Sequence, residues 1–148
     1  MIEIFIMMNF KDIHIGKMIE QRVAEYRIEL PRICNFLKCT EKDVKNMYRE
    51  ENISTDKLLR WSKLLEYDFF RIYSQHLILY APPNASIPKS SRSRLPQFKK
   101  NIYTKEIIDF ILDQIETGEK TKDQVMEDYG IPKTTLYKWI SKHGNHSY

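Results

Sequence analysis

Cysteine is scarce in this chain: Cys34 and Cys39 are the only two among 148 residues. Their C-x4-C spacing lacks the second ligand pair that a structural zinc site needs, so no metal site is expected. Two cysteines make no disulfide framework, which fits a reducing cytoplasm. Cys34 reads as a small buried apolar residue and Cys39 as a turn residue. Glycine and proline are few, at four and six, and alternating Val/Ile/Thr runs are rare; a sheet-rich fold is therefore not expected. No run of about 18 apolar residues exists, so no membrane span is expected. The opening MIEIFIMMNF is short, carries Glu3, and has neither a basic n-region nor a small-residue cleavage site, unlike a signal peptide. Met8 is a second candidate start. No Gly-rich phosphate loop or nucleophile–base pair is visible, and His14, His76, His143 and His146 are scattered. The chain is accordingly expected to be no enzyme, with no catalytic residue, no cofactor and no small-molecule substrate.

Acidic residues are missing from two places. Residues 81 to 103 carry Lys89, Arg92, Arg94, Lys99 and Lys100 and no acid, and none follows Asp128. Residues 1 to 80 are nearly neutral, with 13 Lys/Arg against 12 Asp/Glu, and residues 104 to 148 hold 6 against 8. The net charge of +4 and pI near 9.0 suit a polyanion partner without proving one. The basic surplus lies between the two halves and at the end of the chain. Hydrophobic content of 42% beside 30% charge indicates a folded protein, and the apolar spacing is helical throughout.

The most informative stretch is TKDQVMEDYGIPKTTLYKWISKHG, Thr121 to Gly144. Thr121 and Gln124 fit a capping box, and Val125, Met126 and Tyr129 give one apolar face. Gly130 falls where a helix ends with positive φ, Ile131 inserts into the turn, and Pro132 suits the start of a second helix. Leu136, Trp139 and Ile140 form the inner face of that helix at i, i+3, i+4 spacing. Its outer face carries Lys133, Thr134, Tyr137, Lys138 and Ser141. Before it, Ile107, Ile108, Ile111, Leu112 and Ile115 form an amphipathic helix that starts from Thr104 and ends at Gly118. The run GIPKTTLYKW resembles the homeodomain-like helix-turn-helix signature of insertion-element transposases and recombinases, over about the last third of the chain. The resemblance implies DNA contact through Lys133, Thr134, Thr135, Tyr137, Lys138 and Lys142.

Residues 11 to 80 read as five short helices. Their apolar stripes are Ile15, Met18, Ile19, Val23 and Tyr26; Leu30, Ile33, Cys34 and Leu37; Val44, Met47 and Tyr48; Leu58, Leu59, Trp61 and Leu65; and Phe69, Phe70, Tyr73, Leu77 and Tyr80. Thr40 with Asp43 makes a partial capping box for the third. Ile15-Gly16-Lys17, ICNFLKCTEKDVKNMY and the run from Leu58 to Leu65 resemble the lambda-repressor-like (XRE, Cro/C1) helical domain. That family's Gln at the start of helix two is missing, and Cys39 stands for its usual Gly. The third helix offers Lys42, Lys45 and Asn46 as a second DNA contact, but beside Glu41 and Asp43, which phosphates repel. An interaction or dimerisation role for this half is thus as well supported as base contact.

The segment APPNASIPKSSRSRLPQFKK is rich in Pro and Ser and reads as a linker. It is either a solvated tether or a basic arm, with Arg92 or Arg94 entering the minor groove and Lys99 and Lys100 adding charge. Together with these two resemblances, LLRWSKLLEYDFFRIYSQHLILYAPP joined to PQFKKNIYTKEIIDFI resembles a small bacterial protein labelled a transposase, of the Bacteroidetes type, although the triad of separated carboxylates on a mixed sheet that such catalysis uses has no room here. The expected architecture is all-α: an extension over 1–10, a five-helix domain over 11–80, a basic linker over 81–103 and a three-helix domain over 104–148. The expected partner is double-stranded DNA, with a second copy or a catalytic subunit as a further partner. The expected place is the cytoplasm, with the nucleoid. The alternative is a protein-interaction module with only non-specific DNA affinity.

Overall fold

The computed structural model describes residues 9–81, 93–96 and 103–143, which form eight α-helices and no strand. No described helix is long and apolar enough to cross a membrane. Two compact units part between Ser74 and Gln75, earlier than the boundary at residue 80 that composition suggested. The expected extension over 1–10 and most of the expected linker lie outside the described residues.

The N-terminal unit holds α1 (Ile15–Tyr26), α2 (Leu30–Leu37), α3 (Glu41–Arg49), α4 (Thr55–Leu65) and the beginning of α5 (Phe70–Tyr80). Local side chains start the helices. The His14 Nδ1 accepts from the Lys17 amide at 3.1 Å and Ser54 Oγ from the Lys57 amide at 3.3 Å. Thr40 and Asp43 form a complete capping box rather than a partial one. Each such cap satisfies an amide that the first helical turn leaves unpaired. α1 packs on α3 and α4, and α2 packs on the same two helices. Ile15, Ile19, Val44, Trp61 and Leu65 are fully buried at the centre, and the Trp61 indole donates to Met47 Sδ at 3.4 Å.

Three expected stripes need correction. Tyr26 is 44% exposed: its ring lies under the Arg22 guanidinium and its hydroxyl donates to Glu66. Leu59 is exposed while Leu64 is buried, because both flank the α4 stripe and the neighbours decide which one is covered. On α5, Phe69, Ile72, Gln75 and Leu79 are buried in or beside the helix, whereas Leu77 is 58% exposed and Phe70, Tyr73 and Tyr80 are only half-buried. α5 is apolar nearly all round, so periodicity alone cannot choose its inner face.

The C-terminal unit holds the end of α5, α6 (Lys105–Glu116), α7 (Lys122–Tyr129) and α8 (Lys133–His143). α6 packs on both α7 and α8. Thr104 caps α6, and its hydroxyl donates to the buried Gln75 at 2.9 Å. Ile107, Ile111, Val125 and Leu136 are fully buried and Trp139 is 8% exposed; Ile140 is half-buried. Gln114 is the unexpected core member at 6% exposure, and its Oε1 accepts from the buried Tyr129 hydroxyl at 2.7 Å. Removing only the donor strands a buried oxygen, which typically costs about 1–3 kcal/mol. Tyr129→Phe is therefore expected to lower unfolding stability by that amount in urea, and the double change Gln114→Met/Tyr129→Phe is expected to recover most of it.

Candidate nucleic-acid interface

α7 and α8 are joined by Gly130-Ile131-Pro132. Thr121 and Gln124 form the capping box expected at the start of α7. Gly130 caps its end at φ +62°, a conformation that costs an L-residue roughly 1–2 kcal/mol and glycine almost nothing. Ile131 is buried in the turn, and the Pro132 carbonyl accepts the first α8 hydrogen bond from Leu136 at 3.0 Å. With Leu136 and Trp139 turned inward, Lys133, Thr134, Tyr137, Lys138, Ser141 and Lys142 are left exposed on α8. Thr135, expected in the same set, is half-buried because it lies next to the Leu136 edge of the packed face. Lys142 sits in the last turn of α8, where a cation also favours the helix dipole.

The exposed face is organised around Tyr137. The Lys133 ammonium lies 5.6 Å from its ring centroid, and the Lys122 ammonium, from the first residue of α7, lies 5.3 Å from it. Two helix starts thus bring a cation to the same exposed ring. Lys122 was missing from the sequence reading, since nothing in the spacing links a residue of α7 to the outer face of α8. The first turn of α8 holds no acid, so Lys133 stands unneutralised at the positive end of the helix dipole, an arrangement that an anion relieves. The last acidic side chain of the chain, Asp128, is paired with the Lys120 ammonium. That bond to Asp128 raises the Lys120 pKa above its ordinary value.

The second expected contact, on α3, is less suited to a phosphate backbone. Lys42, Lys45 and Asn46 are exposed, but so are Glu41 and Asp43. Hydrogen bonds from the Thr40 backbone and then from its hydroxyl hold the Asp43 carboxyl below its ordinary range, with Lys57 and Lys42 adding, so it stays charged at neutral pH. Asn46, Asp43, Glu50, Asp56, Lys57 and Arg60 line an open groove of about 440 Å3 beside α3, with both signs of charge. At the back of α3, burial pushes the Tyr48 phenol up to about 12, with Glu20 and Cys34 adding, so it remains neutral.

Of the expected arm, Arg94 is exposed, and Arg92, Lys99 and Lys100 lie outside the described residues. Among the described residues no group of three or more His, Cys, Asp or Glu side chains is placed to hold a metal ion. Comparison with protein-family models, with curated proteins and with solved structures finds no match to this chain.

Proposed function

We propose that the protein is a sequence-specific double-stranded DNA-binding protein whose reader is α8. The observation that carries this reading is the acid-free face of Lys133, Thr134, Tyr137 and Lys138, with Lys122 drawn to the same ring. A helix whose inner face is apolar and whose outer face is cationic and hydrogen-bonding suits the major groove. Lys donates to guanine O6 and N7, and Thr contacts a base edge or a thymine methyl. Lys122, at the start of the preceding helix, is placed for the phosphate backbone, and the basic segment with Arg92, Arg94, Lys99 and Lys100 adds charge attraction. The role in this reading is that of a DNA-recognition component of a mobile element, or of a regulator derived from one. Chemistry, where it occurs, comes from a partner subunit.

Selection of bound sequences from random duplex DNA with the full chain tests this; an enriched motif supports it and its absence overturns it. Lys133→Ala and Lys138→Ala are expected to relax one or two base positions, each good contact being worth about 1–3 kcal/mol of discrimination. Lys42→Ala and Lys45→Ala are expected to leave the motif unchanged. The reverse pattern assigns the reader to α3.

A second reading is favoured by the N-terminal unit, where Phe36 and Leu59 are 43% and 48% exposed and α3 carries both signs of charge. This unit then serves as a protein-interaction or dimerisation module. It predicts concentration-dependent association that survives salt strong enough to abolish DNA binding.

A further inference from the structure

The turn between α2 and α3 brings the two cysteines of the chain together. Lys38 adopts the left-handed conformation at φ +52°, and the Cys39 amide donates back to the Cys34 carbonyl at 3.2 Å. This is the 6→1 bond of a Schellman cap, in which the side chains of the two bonded residues commonly touch. Here those side chains are both thiols, free and only partly buried. The expectation of a buried Cys34 is corrected accordingly: it lies at the helix end, where cover is incomplete. Cys39 also lines the open groove beside α3.

We propose that Cys34 and Cys39 form a reversible intrachain disulfide, a redox modification site within the N-terminal unit. The backbone bond already draws the two residues together, as a disulfide requires of its α-carbons. With oxidised glutathione as oxidant, one thiolate attacks the glutathione disulfide and releases one glutathione. The second thiolate then attacks the mixed disulfide and releases the other. Two S–H bonds are lost, one protein S–S bond forms, and the oxidant is reduced to two thiols. The new bond ties the end of α2 to the residue before Thr40, the N-cap of α3, and leaves α8 untouched. Burial, with Cys34 and Asp43 adding, holds the Cys39 thiol above its ordinary pKa, so its attack is slow at neutral pH and faster in mild alkali.

The test equilibrates the full native chain in glutathione redox buffers, alkylates the remaining thiols and maps the peptides by mass. The expected product is an unalkylated 34–39 crosslink that has lost two hydrogens and that a dithiol reverses. Its equilibrium constant is expected to be about tenfold higher for the folded chain than in urea, a difference of about 30 mV for a two-electron couple. A wild-type chain that keeps a glutathione adduct, links to a second chain, or crosslinks no more favourably folded than in urea overturns the proposal.

Discussion

Trp139→Ala is expected to unfold the C-terminal unit. Trp139 is 8% exposed, packs edge-on against Tyr103 at 4.9 Å, and shares its face with the fully buried Leu136. Truncating a buried large aromatic typically costs about 3–5 kcal/mol. A unit of this size draws on about 5–15 kcal/mol at most, and each kcal/mol moves its melting point by about 4–8 °C. A drop on the order of 20 °C follows for the helix signal of this unit, and the DNA binding proposed for α8 is expected to be lost at the same temperature. Trp61 then becomes the only tryptophan, so its fluorescence reports separately on the N-terminal unit, where little change is expected. A variant that keeps its melting point and loses only DNA binding would instead make Trp139 a base-contacting residue.

Gly16→Ala is expected to be nearly as damaging in the other unit. A Cβ built on Gly16 meets the carbonyl oxygens of Met47, Tyr48 and Glu50 at 2.3, 2.5 and 2.6 Å. All three are backbone atoms, so no side-chain rotation relieves the clash. The start of α1 is held there by the Ile15 amide on Glu51 at 3.1 Å and the Gly16 amide on Glu50 at 3.0 Å. Overpacking of about 1–3 kcal/mol combines with two weakened hydrogen bonds of roughly 1 kcal/mol each, giving a loss of at least about 3 kcal/mol. Hydrogen exchange read at α1 and α3 amides checks it; unchanged protection at α1 with a stable fold would mean that the helices can separate without cost. The same substitution is expected to leave the helix signal of the C-terminal unit, and the DNA contact proposed for α8, unchanged.

The local code of this protein is legible because it is short-range. Thr121 with Gln124 and Thr40 with Asp43 are pairs three residues apart, and each makes the reciprocal bonds their types allow. Gly130 stands where a positive φ is needed. The inner face of α8 follows from Leu136 and Trp139 alone, and its outer face is what remains. The α5 face was not legible. Its expected stripe of Phe69, Phe70, Tyr73, Leu77 and Tyr80 gave way to Phe69, Ile72 and Leu79 with Gln75, since apolar residues lie nearly all round the helix and spacing alone does not choose among them.

Short-range pattern is therefore enough for the all-helical class, the capping boxes at Thr40 and Thr121, the helix end at Gly130 and the basic, acid-free outer face of α8. These rest on hydrogen bonds and apolar spacings within one or two turns. Packing between helices is what leaves no room for a Cβ at Gly16, which faces carbonyls more than thirty residues away. It also decided that Gln114 belongs in the core, because Tyr129 from α7 satisfies it there, and that Lys122 joins Lys133 at Tyr137. In each case the deciding partner lies on a different helix, and the approach of two helices is set by packing that no local pattern encodes.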